Sequence, residues 1–285
     1  MAASKPDPGL FVVPTPIGNL RDVTLRALDI LGGVDLIACE DTRITSRLLN
    51  AYAIKTPMAA YHEHNAQQMR PRLLQQITDG GSIALVSDAG TPLVSDPGFK
   101  LVQAVIDAGL PFTVLPGPSA AVTGLVAAGL ATDRFLFAGF SPSRQKARQA
   151  FFREFIACPS SLIFFESAKR LARSLSDMET VFGGRHAAVA RELTKKFEEI
   201  QRGSLTTLAA FYGARPAPKG EIVVVVAPPS PGMPPTRELI DAEIISVLGE
   251  LGVKSAAEHV SATLGLPRRD VYQRALELRG NGKSE

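Results

Sequence analysis

The sequence has few cysteines, no tryptophan and no long apolar run. Its two cysteines, Cys39 and Cys158, stand far apart and outside any CxxC pair. A disulfide framework or a cysteine-based zinc site is therefore not expected, and a reducing cytoplasm fits this usage. The longest weakly polar stretch, residues 119–131, is too short to cross a bilayer, and the N-terminal residues lack the apolar core of a signal peptide. We expect a cytoplasmic protein with no membrane partner.

Several common catalytic signatures are absent as well. No GxGxxG turn follows the first predicted strand and no GxxxxGK(S/T) loop occurs, which disfavours a nicotinamide oxidoreductase and a P-loop nucleotide hydrolase. HExxH and GxSxG, typical of zinc proteases and serine hydrolases, are missing too. Charge of one sign is not in large excess, because the net charge is only +3. Binding to nucleic acid would therefore need basic residues that cluster locally.

The sequence does contain a regular alternation of short apolar runs with helical patterns. Hydrophobic residues make up 45% and charged residues 21% of the 285 positions, a globular composition with room for two domains. Alternating strands and helices predict an α/β fold with a mostly parallel N-terminal sheet and helices on both of its faces. The strand candidates lie at 10–13, 36–38, 82–86 and 112–115, and a second set lies at 135–138, 162–165, 187–190 and 222–227.

The chain divides into three predicted parts: an N-terminal α/β domain at 1–117, a C-terminal α/β domain at 118–230 and a helical extension at 231–285. A proline-rich stretch at 228–235 predicts a linker between the second and third parts. Beyond it, three short helical patterns with tight turns are typical of a helix-turn-helix-like extension. These patterns lie at 238–251, 255–264 and 267–279.

Turns rich in glycine, proline and small polar residues follow four predicted strands, at 14–19, 87–98, 116–121 and 139–143. Each alone could be a tight turn between a strand and a helix. Because ligands bind at the carboxyl ends of parallel strands, the turns together predict a pocket. Asp88 comes directly after a strand, where its carboxylate could accept hydrogen bonds from a ribose or an ammonium group, or merely cap its own turn.

Two further polar clusters are candidates for a substrate site. The run Glu40-Asp41-Thr42-Arg43 follows a strand and is either a capped helix start or a hydrogen-bonding cluster at the active-site edge. The run 61–65 carries two of the four histidines. It has no third ligand nearby, so we expect no metal and favour a polar substrate-binding loop, with Asn65 as an alternative helix cap.

Basic residues are spread over two predicted helical segments and the tail. They could follow RNA phosphates or form ordinary charged helix faces. We interpret the charged run at 191–196 as solvated surface. The candidates for phosphate contacts are Arg144, Lys146, Arg148, Arg153, Lys169, Arg170 and Arg173, with Arg268, Arg269, Arg274 and Arg279 in the tail.

Six motifs resemble the ribosomal RNA small subunit methyltransferase I family of the tetrapyrrole methylase superfamily. They are VPTPIGNL at 13–20, CEDTR at 39–43, SDAGTPLVSDPG at 87–98, PGPSA at 116–120, ARELTK at 190–195 and KGEIV at 219–223. The resemblance implies two α/β domains with S-adenosylmethionine in the cleft between them, a family-specific helical extension and a homodimer. It also implies 2′-O-methylation of a cytidine ribose in the decoding region of 16S rRNA, within the small ribosomal subunit.

The resemblance also implies roles for particular residues. The residues implied to contact the cofactor are Pro14, Asp88, Ala89, Gly90, Ser119, Ala120, Phe165, Ala190 and Glu221. A base that accepts the hydroxyl proton should assist methyl transfer, and the unranked candidates by residue type are His64, Asp41 and Glu40. The expected substrate-side residues are Asn19, Arg43, His62, Asn65, Arg144 and Lys146. No metal is required, since the sulfonium already makes a good leaving group.

Two other functions stay open. One is a methyltransferase of the same fold that acts on a tetrapyrrole or another small molecule, against which the His62–Asn65 loop and the helical tail argue. The other is a catalytically silent RNA-binding factor for ribosome assembly, against which the intact glycine-proline turns argue.

Overall fold

The computed structural model describes residues 4–93, 98–229 and 236–281. Residues 94–97 of the predicted turn and residues 230–235 of the predicted linker lie outside the described residues. The chain forms two compact units. The first contains the residues up to Thr123 together with Glu192–Glu198, and the second contains Gly124–Arg191 and the residues from Glu199 onward. The division into three parts at 117 and 230 stays a prediction.

The first unit is built on a five-stranded sheet in which all pairings are parallel, in the order β3-β2-β4-β1-β5. The predicted parallel sheet is thus confirmed. Its strands are β1 (Gly9–Val12), β2 (Leu36–Cys39), β3 (Met58–Ala60), β4 (Ser82–Val86) and β5 (Phe112–Val114). The helices are α1 (Leu25–Gly33), α2 (Thr42–Ala51), α3 (Ala66–Thr78), α4 (Phe99–Asp107) and α5 (Ala120–Ala128), which contains the boundary between the units.

The apolar run through β1 explains why both faces of this sheet are covered. Successive side chains of a strand point to opposite faces. Phe11 and Val13 pack in a cluster with side chains of α1 and α2, whereas Leu10 and Val12 pack in another with side chains of α3 and α4. A strand that is buried on both faces has no polar alternation, which is the pattern of a central parallel strand.

Helix α1 ends in a glycine that lies close to the N-terminal segment. The helix includes Gly33, and its C-cap is Val34. A Cβ added at Gly33 would lie 2.5 Å from the Ser4 carbonyl oxygen. This glycine therefore lets the N-terminal segment pass close to the end of α1.

The second unit contains a mixed five-stranded sheet in the order β6-β7-β10-β8-β9. Strands β6 and β7 are parallel, and the other neighbours are antiparallel. Phe152, Phe164 and Phe182 anchor its main hydrophobic core. The strands are β6 (Phe135–Phe140), β7 (Ser161–Ser167), β8 (His186–Arg191), β9 (Glu199–Ser204) and β10 (Glu221–Val226), with helices α6 (Gln145–Arg153), α7 (Leu171–Phe182) and α8 (Leu205–Gly213).

Two helices follow, α9 (Arg237–Leu264) and α10 (Arg268–Asn281). Three were predicted, and the expected break after residue 251 falls at Gly252, where φ is 69° and ψ is 165° inside α9. This backbone conformation is essentially restricted to glycine. The two segments of α9 and helix α10 share a hydrophobic cluster centred on Ile244, Val260 and Val271. In the part of the chain that the structure describes, no helix combines the length and apolar character needed to span a membrane.

Candidate active site

Three turns at the carboxyl edge of the parallel sheet form one hydrogen-bonded structure. Thr15, after β1, and Gly90, after β4, exchange backbone hydrogen bonds, with N···O distances of 2.9 and 3.0 Å. The Thr15 hydroxyl also donates to the Ser87 carbonyl oxygen at 3.2 Å. The Thr91 hydroxyl donates to the carbonyl oxygen of Pro118, after β5, at 3.1 Å. Three of the four turns from which the sequence predicted a pocket therefore meet, whereas the fourth, at 139–143, belongs to the second unit.

Two glycines make this close approach possible. Gly90 has a φ of +78°, in the left-handed region that L side chains rarely adopt. A Cβ added at Gly117 would lie 2.6 Å from the Cβ of Pro14, closer than any real contact. Substitution at either position would strain the backbone or separate the turns.

Asp88 links this structure to the turn after β2. Its Oδ1 accepts a hydrogen bond from the backbone N–H of Asp41 at 3.1 Å. Burial raises the pKa of the Asp88 carboxyl, and the hydrogen bond from Asp41 opposes this rise only in part. The Asp88 carboxylate therefore connects the turn after β4 to the turn after β2. The structure does not show the alternative in which Asp88 caps its own turn.

Asp41 is the N-cap of α2, as the capped-helix alternative proposed. Its carboxylate accepts a hydrogen bond from the Arg43 backbone N–H at 2.8 Å. The Arg43 guanidinium forms a bidentate pair with the same carboxylate, at 3.0 Å from Nε and 2.6 Å from a terminal nitrogen. These contacts with Arg43 lower the pKa of Asp41 to about 2. A carboxylate held this acidic is a weak base.

The two histidines lie in the loop between β3 and α3. Asn65 holds this loop: its Oδ1 accepts from the His62 backbone N–H at 2.9 Å, and its Nδ2 donates to the Ala60 carbonyl oxygen at 2.8 Å. Its side chain therefore does not cap α3. The His62 and His64 rings meet edge to face at 5.9 Å. Among the described residues, no three His, Cys, Asp or Glu side chains are grouped closely enough to hold a metal ion.

The segment Glu192–Glu198 also belongs to the first unit, although the sequence was interpreted there as solvated surface. That interpretation was wrong, because Leu193 is buried and the Lys195 ammonium donates to a Glu192 carboxylate oxygen at 2.8 Å. The Asn19 backbone N–H donates to the Thr194 hydroxyl at 3.1 Å. The segment therefore lies against the turn after β1, a contact that no local pattern reveals.

Within the second unit, the three expected cofactor residues have different surroundings. Phe165 is half-buried and packs edge to face on Phe137 and Phe140, with centroid distances of 4.7 and 5.5 Å. Ala190 is 1% exposed within β8, so its methyl group is covered by protein. Glu221 is exposed at the first position of β10, opposite Ser167 at the end of β7.

The basic residues separate into paired and exposed groups. Arg148 is buried and bound to the buried Asp177 carboxylate through Nε at 2.7 Å, so its prediction as a phosphate contact was wrong. Arg170 is engaged by Glu166 at 2.8 Å. In the tail, Arg268 pairs with Glu258, and Arg274 pairs with Asp241 and Glu277. Arg144 and Lys146, at the start of α6, are exposed.

Comparison with known proteins gives consistent similarities. A family model described as Tetrapyrrole (Corrin/Porphyrin) Methylases matches residues 9–209, and another described as RsmI C-terminal HTH domain matches residues 240–279. The chain is 47% identical to Ribosomal RNA small subunit methyltransferase I of Mesorhizobium japonicum, across 96% of this chain and 93% of that protein. It is 43% identical to the protein of the same name from Escherichia coli O157:H7, across 95% and 96%.

A solved structure shares the fold. Uroporphyrin-III C-methyl transferase from Thermus thermophilus, complexed with S-adenyl homocysteine, superposes with a TM-score of 0.53 at 16% identity. The match covers 76% of this chain and 96% of that one. At this identity the likeness concerns the fold alone.

Proposed function

This chain belongs to the tetrapyrrole methylase family and, within it, to the ribosomal RNA small subunit methyltransferases I, and on that premise we propose its reaction. It transfers the methyl group of S-adenosylmethionine to the ribose 2′-hydroxyl of a cytidine in the decoding region of 16S rRNA. The observation that carries the proposal is the joined structure of the turns after β1, β4 and β5 at the carboxyl edge of the parallel sheet.

The residues of this edge fit the cofactor. The left-handed Gly90 and the bare Cα of Gly117 keep side chains out of the turns, so that backbone groups can approach a ligand closely. The Asp88 carboxylate is an acceptor for the ribose hydroxyls or the ammonium group of S-adenosylmethionine. We assign Pro14, Ala89, Ser119 and Ala120 to the same pocket, and Phe165 and Glu221 to adenosine contacts. Ala190 contributes through its backbone, since its methyl group is covered.

Bound S-adenosylmethionine supplies an electrophilic methyl group on a sulfonium. The protein must hold the ribose oxygen in line with the methyl carbon and sulfur, and such orientation accounts for much of the acceleration. Removing the hydroxyl proton as the new bond forms requires a base. The low pKa of Asp41 leaves His64 and Glu40 as the candidates, and Asp41 then serves to hold Arg43.

RNA supplies the substrate side. We propose that Asn19, Arg43, His62 and the loop braced by Asn65 contact the nucleotide that is methylated. The exposed Arg144 and Lys146 contact phosphates, which provide affinity without reading sequence. The further proposals are that the substrate is 16S rRNA within the small ribosomal subunit, that the enzyme is a homodimer and that it works in the cytoplasm.

The test is a transfer assay with labelled S-adenosylmethionine and small ribosomal subunits from a strain that lacks this gene, with the 2′-O-methyl nucleotide located by mass spectrometry. We expect one modified cytidine in the decoding region. Cofactor binding without transfer to RNA would redirect the search to tetrapyrrole-like acceptors. If the protein does not bind S-adenosylmethionine, the remaining hypothesis is the catalytically silent RNA-binding factor for ribosome assembly.

Two variants separate the roles in this assay. Asp88→Ala should lose cofactor affinity in calorimetry, whereas His64→Ala should keep it and lose turnover by about 100-fold or more, the usual contribution of a general base. Asp107→Ala, an exposed carboxylate at the far end of α4, is the matched control. Unchanged cofactor affinity in Asp88→Ala would remove Asp88 from the pocket.

A further inference from the structure

The loop between β8 and β9 is longer and more strained than a hairpin needs. Its strands pair as far as Arg191 opposite Glu199, and two residues would suffice to close such a pair. Instead Glu192–Glu198 intervenes, and Glu192 and Thr194 have positive φ values of 52° and 62°. Left-handed residues other than glycine concentrate at functional sites, because folding alone disfavours them. The conformation of this loop therefore suggests a function.

The loop is fixed in place rather than loose. The Thr194 hydroxyl accepts from the Asn19 backbone N–H at 3.1 Å, and the Thr194 backbone N–H donates to a Glu198 carboxylate oxygen at 2.6 Å. A Cβ added at Gly18 would lie 2.5 Å from the Lys195 Cγ and 2.8 Å from the Leu193 carbonyl oxygen, so the turn after β1 and the loop are in close contact. The loop is thereby held beside the candidate active site.

Near its C-terminal end, this fixed loop presents an aromatic ring and a positive charge. The Phe197 side chain is 64% exposed, while Leu193 of the same loop is buried. The Lys196 ammonium lies 5.6 Å from the centroid of the Phe197 ring. An exposed apolar ring on a loop that packs against the turn after β1, with a cation beside it, matches what unstacked nucleotides bind.

We infer that Phe197 is a stacking platform for a nucleobase of the RNA substrate and that the Lys196 ammonium contacts the adjoining phosphate. This inference rests on the proposed function, since it names the part of the protein that holds the RNA near the methylated ribose. A ribose in structured RNA becomes accessible when its nucleotide is splayed from its neighbours, and a flat ring stabilises the exposed base. Stacking does not depend on base identity, so Phe197 adds affinity rather than sequence preference.

The absence of tryptophan from the chain gives a direct test. Phe197→Trp places a single indole at the proposed platform, and its fluorescence should be quenched when a single-stranded oligoribonucleotide is titrated in. Phe135→Trp, which replaces an exposed phenylalanine at the first position of β6, is the control and should not respond. Equal responses, or none at Phe197→Trp, would overturn the inference. This readout requires no methyl transfer, so it stands apart from the test of the proposed function.

Kinetics provide the second test. With small ribosomal subunits, Phe197→Ala should raise the KM for RNA roughly tenfold and leave the cofactor dissociation constant unchanged, and Phe197→Trp should restore the wild-type KM. Lys196→Ala should weaken RNA binding, most strongly at low salt, while the exposed Lys55→Ala should not. Loss of cofactor binding in Phe197→Ala, or a change in its oligomeric state by sedimentation, would assign the ring to packing or to self-association and overturn the inference.

Discussion

Asp35 shows how one carboxylate fastens two neighbouring strands at their amino ends. Its Oδ2 accepts from the Ser82 backbone N–H at 2.8 Å and from the Ser82 hydroxyl at 2.9 Å, and Lys5 pairs with Oδ1. The hydrogen bonds from Lys5 and Ser82 lower the pKa of Asp35 to about 2. Because this value lies below that of an unfolded aspartate, the contact stabilises the fold above about pH 4 and is lost as the pH falls through about 2.

We expect Asp35→Ala to reduce the free energy of unfolding at pH 7 by about 1–2 kcal/mol, mostly through the hydrogen bonds to Ser82. The exposed pair with Lys5 adds little. Urea unfolding at several pH values checks this, with Asp107→Ala as a control that should show no such trend. The expectation fails if the difference between wild type and Asp35→Ala is as large near pH 2 as at pH 7.

Asp41 permits a second prediction for a single residue. Its pKa near 2 means that it stays ionised throughout the working range, so its titration cannot produce the acidic limb of the kcat profile. Asp41→Asn should lower kcat by less than about 100-fold and leave the midpoint of that limb unchanged. Stopped assays from pH 5 to pH 9 measure this, and a shifted or missing limb in Asp41→Asn would make Asp41 the base after all.

Among the structural elements, α6 and α7 are joined by a buried ion pair. The side chains of Arg148 and Asp177 are 4% and 3% exposed, and the Gln149 amide donates to the same carboxylate at 2.7 Å. Removing one partner leaves the other charged and buried. Asp177→Ala should therefore destabilise the protein by about 3–5 kcal/mol.

The double variant Arg148→Met/Asp177→Leu distinguishes lost charge pairing from lost packing. Replacing a buried ion pair with apolar groups of similar volume is often neutral, so the double variant should be far more stable than Asp177→Ala. Denaturant unfolding of both variants and wild type measures this. If the double variant is as unstable as Asp177→Ala, the pair is needed for packing geometry rather than for charge balance.

Strand prediction missed one edge strand in each sheet. The three inner strands of the first sheet, β2, β4 and β1, were predicted from apolar runs that are buried on both faces, and its edge strand β5 was predicted as well. The strands not predicted, β3 and β9, are edge strands, as are the predicted strands β5 and β6. The two that were not predicted carry little hydrophobic signal: β3 is Met-Ala-Ala and β9 has only one large apolar residue, Ile200, whereas β6 contains three phenylalanines and a leucine.

The candidate site was also predicted only in part from the sequence. The parallel topology brings the turns after β1, β4 and β5 together, so Pro14, Asp88 and Ser119 could be grouped from sequence alone. The bond between Asp88 and Asp41 and the docking of Glu192–Glu198 on Gly18 could not, because they join residues 47 to 175 positions apart through contacts that leave no periodic pattern. The prediction that Arg148 contacts phosphate rested on its charge alone and was wrong, because this side chain is buried against Asp177 of another helix.

For the whole molecule, the small net charge of +3 limits what long-range electrostatics can do for RNA binding. A strongly basic protein attracts RNA from a distance, whereas this chain must rely on a few local phosphate contacts. Each phosphate contact releases counterions and adds about 0.7 to 0.9 to the slope of log KM for RNA against log salt concentration. The slope therefore reports the number of phosphate contacts. Because this protein is expected to make only a few phosphate contacts, we predict a shallow dependence of log KM for RNA on log salt concentration.

We expect Arg144→Ala and Lys146→Ala each to remove one phosphate contact, which lowers this slope by about 0.7 to 0.9. Each substitution should weaken binding to all RNA sequences alike. Both side chains are exposed at the start of α6, so neither substitution should change unfolding. Lys55→Ala, an exposed lysine before β3 at the amino edge of the parallel sheet, serves as the control and should leave the slope unchanged. If all three variants keep the wild-type slope, RNA does not contact α6. The phosphate contacts must then come from other exposed cations, such as Lys196.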